Sequence, residues 1–123
     1  MTLTNFKMEE LQNTLIPFLD RTDIIGYYAA RNFRNFNNHI SEYLEIKERL
    51  VRKYGKPCKD EQGNDTGRIE VAYDSPVFSK FIDELMPIGN VEQEIDVFKL
   101  PFAEAIDKLS GNELLSIDWM FEE

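Results

Sequence analysis

Glu92, Glu94 and Asp96 place three carboxylates at alternate positions. On a strand, residues two apart share one face. The spacing would therefore gather three acidic side chains, enough to hold a hard cation or share a proton. The plainer reading is a strand's wet face, with Val91, Ile95 and Val97 turned the other way. No histidine stands nearby to complete a transition-metal site. His39 and Cys58 are the chain's single histidine and single cysteine. His39 falls within a long helical pattern and Cys58 beyond its end, so pairing them as base and nucleophile would require a sharp fold-back. Lys59, next to Cys58, would lower the thiol pKa slightly. The run from Asp60 to Gly67 has the composition of a calcium loop, but Glu61 and Gln62 break the alternate ligand spacing and the closing Glu is missing. No phosphate-cradling glycine loop, H-E-x-x-H or C-x-x-C is present. The expectation is a protein without catalytic residues, metal or cofactor, hence not an enzyme. Its recognition chemistry is carried by Arg31, Phe33, Phe36, Ile40 and Tyr43 on a helix and by Glu92, Glu94 and Asp96 on a strand.

The element that must position these residues is a helix over about residues 22–54. Ala29, Phe33, Phe36, Ile40, Tyr43, Lys47, Leu50 and Tyr54 recur at spacings of four and three, a heptad-like seam. Ile25, Tyr28, Leu44 and Val51 widen it to a stripe suited to packing in a globular domain. Aromatic residues at this spacing usually pack in a core, which is the plainer reading of Phe33 and Phe36. Thr22 or Asp23 can cap the start, and Arg49, Arg52 and Lys53 suit the negative end of the helix dipole. Gly55 is expected to end it in the left-handed conformation. Such a helix spans roughly 48 Å, long for 123 residues, and any uncovered part of its seam offers a face for self-association.

The remaining pattern predicts shorter elements. Leu3 to Leu19 reads as a short helix that Thr4 can cap, and Pro17 inside the pattern should kink or stop it near Ile16. Residues 56–67 read as a flexible acidic surface loop or hairpin. Residues 68–73 and 91–99 alternate and are expected to pair as one antiparallel ribbon against the long helix. Ser75-Pro76 reads as a helix start, followed by Val77, Phe78, Phe81, Ile82 and Leu85 on one face. Pro101 is expected to open a further helix with Phe102, Ala105, Ile106 and Leu109 inward. Ser110 and Glu113 have the spacing of a capping box, and the last helix carries the only Trp, Trp119. The fold class is therefore α+β, mostly helical, in a single domain over 1–123.

Charge separates along the chain. Residues 1–59 hold 10 Lys+Arg against 7 Asp+Glu, and residues 60–123 hold 4 against 16, giving the net −9. Clustered cations are needed to neutralise phosphates, so direct nucleic-acid binding is not expected. A basic protein partner, or mimicry of nucleic acid, would suit the acidic half; attraction between the halves is the simpler role. One cysteine excludes an internal disulfide framework. No secretory signal and no apolar run of membrane-spanning length is visible.

Several segments together carry a likeness. They are Tyr27-Tyr28-Ala29-Ala30-Arg31-Asn32, Leu50-Val51-Arg52-Lys53-Tyr54-Gly55, Asp60-Glu61-Gln62-Gly63-Asn64, Asp74-Ser75-Pro76 with Phe81, Leu109-Ser110-Gly111-Asn112-Glu113-Leu114 and Asp118-Trp119-Met120. In this order, from about Gly26 onward, the chain resembles a family of small bacteriophage and prophage proteins of uncharacterised function. The resemblance implies action in the cytoplasm of a bacterial host, by binding a phage or host protein. Head or tail assembly is the first expectation, and an acidic inhibitor imitating nucleic acid against a host enzyme is the alternative. Within these segments Arg31-Asn32 is the most pointed polar pair, read as a contact site or, more simply, as bonding to the acidic C-terminal half.

Overall fold

A computed structural model describes residues 1–122. In chain order its elements are β1 (Thr2–Thr4), α1 (Asn5–Leu15), a 3-10 turn (Ile16–Phe18), α2 (Ile24–Tyr54), β2 (Lys56–Lys59), β3 (Asp65–Glu70), α3 (Phe78–Gly89), β4 (Glu92–Glu94), β5 (Leu100–Pro101), a 3-10 turn (Phe102–Glu104), α4 (Gly111–Ser116), a 3-10 turn (Asp118–Met120) and β6 (Phe121–Glu122). The fold class is α+β and mostly helical, with the long helix continuous over 31 residues. The chain forms two compact units, Met1–Ile40 with Glu92–Glu123, and Ser41–Val91. Helix α2 begins in the first and ends in the second.

In the first unit, the N-terminus of α2 is fixed by Asp23. Its Oδ1 accepts from the Gly26 amide at 3.2 Å while both carboxylate oxygens accept from Arg21. This satisfies one orphan amide of the first turn. Gly26 is required by close approach, since a Cβ there would stand 2.1 Å from the Arg21 carbonyl oxygen. The buried stripe of this half of α2 runs Ile25, Ala29, Asn32, Phe36 and Ile40, so the stripe passes through Asn32 and leaves Phe33 half-buried. Met8, Leu11 and Leu15 of α1 are buried in the same unit, and Gln12 bonds the Phe33 carbonyl and the Asn37 side chain. Thr4 caps α1 as expected, accepting from the Lys7 amide at 3.0 Å. The helix does not begin at Leu3, however: an N-cap holds extended backbone (Thr4 φ −76°, ψ 160°), so the residues before it form β1. Pro17 ends α1 through the 3-10 turn.

The expected pairing of 68–73 with 91–99 is absent from the described residues. Residues 92–94 pair antiparallel with Thr2–Thr4, and Leu100–Pro101 pairs parallel with Phe121–Glu122. Residues 68–70 pair instead within a local hairpin of the second unit, Lys56 opposite Glu70 and Lys59 opposite Asp65, with a bulge between Pro57 and Lys59. A five-residue turn closes that hairpin, with Asp60 Oδ1 accepting from the Gln62 and Asn64 amides. Closing so short a loop costs little entropy, whereas pairing 68–73 with 91–99 would span an intervening helix. Ile69 and Tyr73 are accordingly exposed. Gly55 ends α2 without a positive φ, correcting the left-handed expectation. What excludes a side chain there is crowding: a Cβ would meet the Val51 carbonyl oxygen at 2.4 Å and Ile69 Cγ2 at 2.6 Å.

Two helix starts also differ from expectation. Ser75-Pro76 occupies a turn closed by the Phe78 amide on the Ser75 carbonyl (3.1 Å), with proline at the position a type I turn favours, so α3 starts at Phe78. Phe81 and Leu85 are its buried face. After Pro101 only a 3-10 turn forms; Ala105 and Leu109 are buried, but Phe102 and Ile106 are exposed. The Ser110–Glu113 capping box is present in full. Trp119 packs its ring 5.5 Å from that of Phe36. Among the described residues no helix is long and apolar enough to cross a membrane.

Candidate binding cleft

The residues named from sequence separate in the structure. Phe36, Ile40 and Tyr43 are buried, because they lie on the stripe that α2 turns inward, and so are unavailable as a recognition surface. Phe33 is half-buried, while Arg31, Glu92, Glu94 and Asp96 are exposed. The three carboxylates do not act together. Glu94 accepts from the Met1 amino group at 2.8 Å and from Thr2 Oγ1 at 2.5 Å, and the amine, then the hydroxyl, holds its pKa below the ordinary value. The described residues contain no group of three His, Cys, Asp or Glu side chains placed to hold a metal. His39 donates from Nδ1 to the Asn35 carbonyl at 2.9 Å. Cys58 departs from expectation: partial burial, then the neighbouring Glu70 carboxylate, pushes its thiol up, and Arg68, not Lys59, is the cation that opposes this.

Arg31-Asn32 does bond to the C-terminal half, through backbone and ring and not through carboxylates. Asn32 is fully buried. Its Nδ2 donates to the Phe98 carbonyl and its Oδ1 accepts from the Phe98 amide, both at 2.9 Å. One turn further on, Asn35 Nδ2 donates to the Asp96 carbonyl at 2.7 Å, and Gln93 Nε2 reaches back to the His39 carbonyl at 2.9 Å. Residues 93–98 thus descend α2 while the helix ascends, fixed by the side chains of Asn32 and Asn35 and by the backbone carbonyl of His39, at positions three and four apart on one face. This segment carries few ladder bonds because the helix supplies them instead.

That arrangement builds a cleft. Phe98, its backbone held by Asn32, lies beneath the Arg31 guanidinium, with Cζ 4.3 Å from the ring centroid. The same guanidinium lies 5.6 Å from the Tyr27 ring and donates to the Tyr27 hydroxyl at 2.7 Å. Cation–π contacts at exposed sites contribute about 0.5–1 kcal/mol each, enough to keep the fork oriented. Tyr27, Ala30, Arg31, Arg34, Asn35, Asn38 and Phe98 enclose a recess of about 430 Å³, open on one side. The side chains of Arg34 and Asn38 make no hydrogen bond or ion pair among the described residues. No carboxylate lines the recess there. This matters because the first unit holds 6 Lys and Arg against 13 Asp and Glu, a balance of −7. A second hollow, in the other unit, is lined by Glu45, Glu48, Arg49 and Arg52 and is partly neutralised by an Arg52–Glu48 pair at 2.7 Å.

Of the residues chosen from sequence, only Arg31 lines the cleft. Tyr27, Arg34, Asn35, Asn38 and Phe98 were missed. The sequence does hold a signal: residues 31–38 read Arg-Asn-Phe-Arg-Asn-Phe-Asn-Asn, and four asparagines in eight residues is a poor choice for helix stability alone. Three of the four, Asn32, Asn35 and Asn37, serve hydrogen bonding. Comparison with protein-family models, with curated proteins and with solved structures gives no match.

Proposed function

We propose that this chain is a non-enzymatic interaction protein of phage or prophage origin that grips a protein partner in the host cytoplasm, during head or tail assembly. The observation that carries the reading is the content of the cleft. Two guanidinium groups, two carboxamides and two aromatic rings converge there. These are groups that recognise; arginine and tyrosine are enriched where protein interfaces concentrate their binding energy. The phage origin rests on the likeness of the segments from Gly26 onward.

Affinity capture of the tagged chain from phage-infected cells, with mass spectrometry of the captured proteins, tests this. Phage structural proteins retained at moderate salt support assembly. A host enzyme of DNA or RNA metabolism, released by moderate salt, would support the inhibitor reading in its place, because electrostatic mimicry weakens steeply with ionic strength. That second reading draws on the −7 balance of the first unit. Residues 60–123, the acidic stretch of the sequence, fall partly in each unit.

A further inference from the structure

Resting on that reading, we infer that the occupant of the Arg31–Phe98 cleft is an acidic peptide segment: an Asp or Glu carboxylate seated on Arg34, with the adjoining peptide group on Asn35 and Asn38. Three features choose this chemistry. First, Arg34 stands one turn from Arg31, exposed and without a partner among the described residues, whereas the Arg31 fork is already held by the Tyr27 hydroxyl. A planar guanidinium with its donors open matches a carboxylate in two parallel bonds. Second, the Nδ2 of Asn35 is committed to the Asp96 carbonyl, which leaves its Oδ1 as an acceptor without a protein partner among the described residues, open to a donor from a ligand. A peptide N–H supplies one; a phosphate group presents acceptors almost alone. Third, the cleft lies on a unit of balance −7. A polyanion such as nucleic acid would meet repulsion all around so small a basic patch, while a short segment that places one or two carboxylates on the arginines meets it only at its ends. Tyr27 and Ala30 supply apolar surface for a neighbouring side chain.

An array of acidic hexapeptides tests the inference, each bearing two Asp or Glu and one Leu or Phe in varied order, read by fluorescence anisotropy with the intact chain. Binding by members of the array is expected, weakened tenfold or more by Arg34→Glu and left within twofold by Arg49→Glu. The two variants change net charge equally, so the difference reports the site and not the overall field. Circular dichroism should show both variants folded, since neither side chain has a partner among the described residues. Amide shifts in a nitrogen-15 spectrum should move at Asn35, Asn38 and Phe98. Absence of binding across the array, equal weakening by both variants, or tighter binding of a deca-thymidylate or of inorganic phosphate at the same residues would overturn the inference. The underlying reading fails separately: if Arg34→Glu abolishes capture of a partner protein while no peptide binds, the cleft is a grip for another chemistry. If capture survives Arg34→Glu, the cleft is not the grip.

Discussion

Replacing Asn32 by alanine should be the most damaging polar-to-alanine change in the first unit. The side chain is fully buried and makes two 2.9 Å bonds to one residue, Phe98, from 66 positions away. Alanine leaves the Phe98 N–H and C=O without those partners. An unsatisfied buried polar group costs about 1–3 kcal/mol, so two of them, with some entry of water, cost about 3 kcal/mol. Domains are stable by about 5–15 kcal/mol, which makes this a large share. For a chain of this size it corresponds to a fall in Tm of about 10 °C. Asn32→Asp separates hydrogen bonding from volume. A carboxylate can still accept from the Phe98 amide but cannot donate to its carbonyl, and burial favours the neutral acid. The folded-state pKa of that Asp therefore lies above its unfolded value of about 3.9. Below the unfolded pKa both states hold the proton and the charge penalty is absent; it grows as pH rises above that value until the folded pKa is passed. Thermal and urea denaturation followed by circular dichroism, at pH 4 and pH 7, measure both effects. Amide exchange at Phe98 locates them. If Asn32→Ala costs under about 1 kcal/mol and leaves the Phe98 amide protected, the two bonds do not anchor the segment and the reasoning fails. Asn38→Ala, which removes no bond among the described residues, should stay within about 0.5 kcal/mol.

Asp23 should titrate at about 2 against an ordinary 3.8, held down first by its hydrogen bond from Arg21. Because its folded pKa is depressed, its contribution is present above about pH 3.8 and lost as pH falls towards about 2; a carboxyl carbon-13 titration reads it, and Asp23→Asn should remove that part of the acid profile. Gly55→Ala forces a Cβ to 2.4 Å from the Val51 carbonyl oxygen, so the end of α2 or the hairpin must shift, at about 1–3 kcal/mol by analogy with overpacked cores; faster exchange of the β2–β3 amides is the readout. Ser110→Ala removes the α4 cap and should cost about 1 kcal/mol, seen by denaturation. The Cys58 thiol, pushed up by partial burial and Glu70, should react with iodoacetamide at pH 8 more slowly than a free cysteine, and Glu70→Gln should speed it.

The long helix was legible because its apolar residues repeat at three and four over its whole length, and its caps at Asp23, like those of Thr4 and Ser110, use side chains within three residues of the amides they serve. Strand pairing was not legible. Alternation in 68–73 and 91–99 marks extended backbone, but a strand's partner is decided by loop closure and by what competes for its backbone groups. Here a nearby hairpin takes the first and the side chains of α2 take much of the second. Asn32 was hidden because a polar residue reads as surface until its partners are known. The stripe Ala29, Phe33, Phe36 and the stripe Ala29, Asn32, Phe36 have equally good helical spacing, and composition favours the apolar one. The cleft was illegible for the same reason, since Phe98 joins the helix only in three dimensions. The placement of Arg31 against residues of the C-terminal half was the part of the site that sequence approached.

The most direct test of the central claim is quantitative capture of the partner from phage-infected cells by three forms of the chain: unaltered, Arg34→Glu and Arg49→Glu. The expected result is loss of at least nine-tenths of the captured partner with Arg34→Glu and retention with Arg49→Glu. Equal capture by all three would contradict the assignment of the Arg31–Phe98 cleft as the surface through which this chain acts.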